Sequence, residues 1–169
     1  MKNMVTTRLV HQKGFTLVEI LVYFGLFSIL LVVINSLFIT TLEQQTQDLA
    51  RSALQQESEF VLAKLKYDIY NADSISLPAQ AGDVSDSLVF ITDGVTYSYQ
   101  LDATKITKSV TGETYGLTSN KVNVDSLQFE NQSGSSLHQT VGFTVIITSN
   151  QDDGKASSTR TISSSVTRR

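Results

Sequence analysis

From Phe15 to Leu42 the chain is apolar almost without interruption, and Glu19 is the one charge inside that run. The run exceeds the eighteen or so residues of a membrane span, at about 1.5 Å rise per residue and a hydrocarbon thickness of roughly 30 Å. Past Leu42 the pattern becomes periodic. Ala50, Leu54, Val61, Leu65 and Ala72 recur at intervals of four and seven, Leu49, Ala53, Phe60 and Ile69 widen the stripe, and polar residues fill the rest. With no Gly or Pro between Gly25 and Pro78, the spacing predicts one helix from about Phe15 to about Ala72. Its first half is apolar all round, and its second half has one face to bury.

Asp73 to Asp86, with Pro78 and Gly82, reads as a loop, after which the period changes to alternation. Leu88–Ile91 and Val95–Leu101 flank Asp93-Gly94, a strong hairpin signal. A two-residue turn there pairs Phe90 with Tyr97 and Leu88 with Tyr99, and puts Val95, Tyr97, Tyr99 and Leu101 on the face that seats the helix stripe. Further strands follow at Lys105–Val110, at Val122–Glu130 with a slip of inward phase between Val124 and Leu127, and at Val141–Ile147. The Ser/Thr-rich stretch from Ser157 to Val166 reads as an edge strand. The expected fold class is therefore α+β: a long N-terminal helix, half transmembrane and half amphipathic, packed on a C-terminal antiparallel β-sheet.

Charge changes the picture at the N-terminus. Lys2, Arg8 and Lys13 precede Phe15 with no acidic residue among them, while Glu43 and Asp48 follow the run. That asymmetry puts the leader in the cytoplasm and the bulk of the chain outside, as a single-pass protein of the cytoplasmic membrane. The run is longer than the core of a secretory signal and lacks a cleavage site of small residues after it. A plain anchor meets the same length test but does not explain Glu19, because a charge in a span costs roughly 2.5 to 3.5 kcal/mol near its centre. Without residues 1–14 the chain has 10 basic and 16 acidic residues, so a nucleic-acid partner is not favoured.

The stretch Lys13-Gly14-Phe15-Thr16-Leu17-Val18-Glu19 resembles the N-terminal motif of the type IV pilin-like superfamily. The resemblance implies cleavage after Gly14 by a prepilin peptidase, N-methylation of Phe15, and assembly through Glu19 with Thr16 and Leu17 beside it. In that family the glutamate pairs with the amino terminus of a neighbouring subunit, which would turn a buried liability into a compensated pair that fixes axial register. Many major pilins carry a helix-bending proline where this chain has Asn35-Ser36, so the likeness is to a minor pilin or minor pseudopilin. The helix end at Leu65-x-x-Asp68-Ile69-x-x-Ala72 and the strand at Val124-x-x-Leu127-x-Phe129 extend it more weakly into the second half.

The implied organisation is a leader at 1–14, a membrane and fibre-core helix at 15–42, an amphipathic helix at 43–73, and the sheet part of an exposed domain at 74–169. The implied partners are other pilin or pseudopilin subunits, the prepilin peptidase, an inner-membrane assembly platform and the membrane. After assembly the implied location is a cell-surface or periplasmic filament. A tip binding module, either an adhesin or a DNA-uptake pseudopilin, and a type II secretion minor pseudopilin are the alternatives. Which machine the subunit joins stays open.

Nothing in the residues asks for catalysis. The chain has no cysteine and two histidines, His11 in the leader and His138 in a polar stretch, so neither a triad nor a zinc site is expected. Asn150 to Gly154 could offer oxygen ligands to calcium but lacks the spaced ligands and closing Glu of a calcium loop, so no cofactor or metal is expected. Tyr67 and Tyr70 read as packing residues rather than a base-stacking platform, and Lys105, Lys108 and Lys121 are too dispersed for a DNA patch.

Overall fold

The computed structural model describes residues 14–133, 139–150 and 157–169. Helix α1 spans Leu17–Tyr70. Strands follow as β1 Ser74–Leu77, β2 Val84–Ser85, β3 Ser87–Thr92, β4 Val95–Asp102, β5 Lys105–Val110, β6 Glu113–Gly116, β7 Val122–Asn131, β8 Thr140–Ser149 and β9 Thr159–Thr167. They form two antiparallel sheets, one ordered β1-β3-β4-β5-β6 and the other β2-β7-β8-β9. The chain divides into two compact units, Met1–Gln45 and Thr46–Arg169; the second holds the C-terminal part of α1 with both sheets.

The α+β class holds, with two sheets where one was expected. The central hairpin has the expected register, with Leu88 opposite Tyr99 and Phe90 opposite Tyr97. Asp93 and Gly94 take φ of 53° and 74°, the left-handed pair that a two-residue turn needs to match strand twist. The slip in β7 is a bulge between Val124 and Ser126, which returns Leu127 and Phe129 to the inner face after Asp125. Strand β9 lies at a sheet edge, as its Ser/Thr-rich composition suggested.

Three expectations about this part need correction. The Asp73–Asp86 segment is not all loop: β1 pairs with β3, and the two residues of β2 pair with the far end of β7. Strand β6 was not foreseen, although Thr111-Gly112 makes a turn with φ of 47° and 94° and folds it back on β5. The helix stripe is also narrower than the widened reading. Leu49 and Phe60 are 70% and 53% exposed, and Tyr67 and Tyr70 are exposed rather than packed.

The buried face of α1 is Leu54, Ser58, Val61, Leu65, Asp68 and Ile69, continued by Ala72 after the helix ends. Steps of four and three keep such positions on one side of a 3.6-residue turn. The apolar ones join one core with Leu88, Phe90, Tyr99 and Ile106 of the first sheet and Val124, Leu127, Phe129, Phe143 and Val145 of the second. Val61, Leu65 and Ile69 are fully buried, and each such side chain contributes about 1.5 to 3 kcal/mol of transfer free energy. Phe90 stacks on Tyr97 and Tyr99 at 5.4 and 6.0 Å between centroids. At the end of the helix Asn71 turns both its backbone N–H and its side-chain amide onto the Tyr67 carbonyl, at 3.1 and 2.7 Å.

Candidate processing and assembly site

Gly14, Phe15 and Thr16 lie in non-helical backbone ahead of α1, and all three are exposed. Thr16 is the N-cap. Its carbonyl accepts the first intrahelical bond from Ile20 N–H at 3.2 Å, and its Oγ1 accepts the Glu19 N–H at 3.3 Å. Thr16-x-x-Glu19 therefore carries one half of a capping box. The other half is absent among the described residues. Glu19 does not reach back to the Thr16 N–H; its Oε1 accepts a hydrogen bond from the Tyr23 hydroxyl at 3.2 Å.

Phe15, Glu19 and Tyr23 follow one another at intervals of four and so share one helix face. The Phe15 ring meets the Tyr23 ring edge-on, 6.4 Å between centroids and 71° between planes. Glu19 also lies in the first turn, where the helix dipole favours a negative charge. Leu17 opens the helix and is 75% exposed. Gly14 does not have a left-handed φ, and a Cβ built on it meets nothing within 4 Å.

Beyond this cluster the apolar residues of the first unit are uncovered on every side. Leu21, Phe24, Phe27, Leu30, Val33 and Leu37 are each about half exposed or more, and the helix is long and apolar enough to cross a membrane. Three hydroxyls in the run are self-satisfied: Ser28, Thr40 and Thr41 donate to the carbonyls of Phe24, Ser36 and Leu37 at 2.8, 3.0 and 2.9 Å. Such back-bonding lets a polar residue sit in a span without a partner from outside the helix.

The remaining candidate residues are placed as follows. Lys108 Nζ sits 2.7 Å from Asp68 Oδ2 beneath the helix, and 4.5 Å from the centre of the Tyr97 ring. Lys105 Nζ donates to the carbonyls of Ser119 and Val122 and ties the β5 end to the segment entering β7. Both lysines are therefore committed to internal contacts. His11, His138 and the Gln151–Gly154 part of the calcium candidate lie outside the described residues, as do Lys2, Arg8 and Lys13. Among the described residues no three His, Asp or Glu side chains gather as a metal site would need.

Sequence reasoning missed two parts of this arrangement. Thr16 is expected as an assembly residue but not as a cap, although the Thr-x-x-Glu spacing signals one, and Tyr23 is not expected at all, although its position four residues after Glu19 was the available signal.

Comparison with known families returns one finding, a match of residues 9–35 to the prokaryotic N-terminal methylation motif. No curated protein and no solved structure matches the chain. The matched residues include Gly14, the capped helix start, Glu19 and the first five turns of the uncovered apolar helix. The motif belongs to a structural rather than a catalytic family, and over these residues the chain is similar to the type IV pilin-like prepilins, the substrates of prepilin peptidase.

Proposed function

We propose that the chain is a minor structural subunit of a type IV pilus or related pseudopilus. In this reading the peptide bond between Gly14 and Phe15 is cut, Phe15 is N-methylated, and residues 15–42 serve first as a membrane anchor and then as fibre core. Glu19 is set against the amino terminus of a neighbouring subunit, with Thr16 holding the helix start and Leu17 on the apolar surface beside it. The partners are other subunits of the fibre, the peptidase and an inner-membrane assembly platform. The exposed domain, on the far side of the membrane, travels with the helix into the filament.

The observation that carries the reading is the position of the proposed scissile bond. Gly14–Phe15 lies in exposed, non-helical backbone, two residues before a capped helix begins. A peptidase must bind the backbone around the bond it cuts, and the hydrogen bonds of a helix would oppose that. An uncovered apolar helix with one carboxylate also suits a subunit that exchanges lipid for neighbouring helices.

Co-expression with a prepilin peptidase tests it. Intact-mass measurement should show loss of residues 1–14 and gain of one methyl group. An unchanged mass would remove the processing claim, and a truncated but unmethylated product would remove Phe15 as the methylated residue.

A further inference from the structure

We propose that Tyr23 is a positioning residue for Glu19: its phenol holds one carboxylate oxygen along the helix, leaving the other to meet the amino terminus of a neighbouring subunit. The inference rests on the assembly role proposed above for Glu19 and adds the residue that aims it.

The geometry begins with the helix itself. Side chains lean toward the helix N-terminus, so a long side chain at one position reaches back over the residue four before it. Tyr23 does this, donating to Glu19 Oε1 at 3.2 Å. Its ring also meets the Phe15 ring edge-on. The hydroxyls of Ser28, Thr40 and Thr41 further along the span turn onto their own backbone, whereas the longer phenol reaches a side chain.

The chemistry follows from what a carboxylate needs in an apolar medium. An ionised carboxylate has about four acceptor sites on two oxygens, and unsatisfied sites in hydrocarbon are costly. A tyrosine supplies a donor at the end of an apolar ring, so it adds little polar surface to the span. One donor does not saturate the group: among the described residues Oε2 of Glu19 has no hydrogen-bond partner. A carboxylate held at Oε1 loses rotamer freedom before assembly, so the pairing with an ammonium on Oε2 costs less ordering.

The test uses Tyr23→Phe, which deletes the hydroxyl and keeps the ring against Phe15. Full-length chain carrying carboxyl-labelled glutamate is reconstituted in phospholipid vesicles, and the Glu19 infrared band is assigned by subtracting the spectrum of Glu19→Gln. The band should shift in Tyr23→Phe. Incorporation into filaments at native expression should fall roughly fivefold, the factor set by a hydrogen bond of ordinary net strength. In a Glu19→Ala background Tyr23→Phe should change incorporation no further. An unshifted band overturns the inference, as does wild-type incorporation of Tyr23→Phe, or a Tyr23→Phe defect that persists undiminished without Glu19. Normal incorporation of Glu19→Ala is a different failure: it removes the assembly role of Glu19 and the positioning role with it, whatever the band does.

Discussion

Asp68→Ala is expected to lower the melting temperature of the full chain in detergent by roughly 10 °C, the shift that about 3 kcal/mol produces in a domain of this size. Asp68 sits on the buried face of α1 with its side chain 8% exposed, and three donors, two from the sheet and one from the helix itself, converge on it. Lys108 of β5 approaches Oδ2 at 2.7 Å, Tyr99 of β4 donates to Oδ2 at 2.5 Å, and Lys64 one turn back approaches Oδ1 at 3.2 Å. The alanine leaves the Lys108 charge, 17% exposed, without its counterion and the Tyr99 hydroxyl without an acceptor. Uncompensated groups of that kind account for most of the loss. Lys64→Ala is the internal control, because that lysine is 34% exposed and its i,i+4 pair is worth about 0.5 kcal/mol or less. Equal effects from the two variants would show that the cluster does not fasten the helix to the sheet.

The same carboxylate gives the fold an acid limit. Burial pushes the Asp68 carboxyl up, but the hydrogen bonds from Lys108 and Tyr99, the Lys108 charge and the Lys64 bond together outweigh it and hold the group below its ordinary value of 3.8. A folded-state value below the unfolded one means that the stabilisation is present above about 3.8 and is lost as pH falls through the lower, folded value. The gap in melting temperature between wild type and Asp68→Ala should therefore stay constant from neutral pH down to that region and close below it. Burial, followed by the hydrogen bond to the Asp68 carboxylate and its charge, drives the Tyr99 hydroxyl well above its ordinary range, so the phenol remains a donor throughout.

The Asp68 cluster also marks where the sequence stops being readable. The β3–β4 pairing could be read to the residue because its determinants are local: alternation on both sides of Asp93-Gly94 leaves a single register in which the apolar sides agree. The bulge in β7 was readable for the same reason, since a slip of inward phase within one strand has few other causes. Asp68 was not, because its partners on the sheet are 31 and 40 residues away, and from the sequence it is one more acid on an amphipathic helix. Strands β1 and β2 escaped because four and two residues carry no period; their pairing is imposed by neighbours already in place. Leu49 and Phe60 were counted into the stripe because a periodic reading tolerates a wide face, whereas the core admits only the narrower line of 54, 58, 61, 65, 68, 69 and 72. At the candidate site a charge in an apolar run is conspicuous, so Glu19 was found at once. Tyr23 was not, because a tyrosine among Val, Phe and Leu counts as apolar until its hydroxyl has a place to go.

Gly14→Val is expected to abolish processing and leave the unprocessed precursor in the membrane, while leaving the fold intact. The structure makes this an unusually clean substitution. Gly14 precedes the helix, its φ is not one that only glycine adopts, and a Cβ there meets no atom within 4 Å. The chain therefore does not need glycine at this position for its own stability, and the melting temperature of the variant should match wild type. If glycine is required, the requirement comes from the peptidase: a residue without a Cβ allows close approach to the backbone on the leader side of the bond, and a branched side chain blocks it. Gly14→Ala, which adds one methyl group, should fall between the two in the rate at which the mature mass appears. Mass spectrometry of membranes co-expressing the peptidase reads all three. Cleavage of Gly14→Val at the wild-type rate would move the scissile bond away from Gly14–Phe15. A blocked variant with a lowered melting temperature would instead trace the defect to folding, against the open space around that glycine.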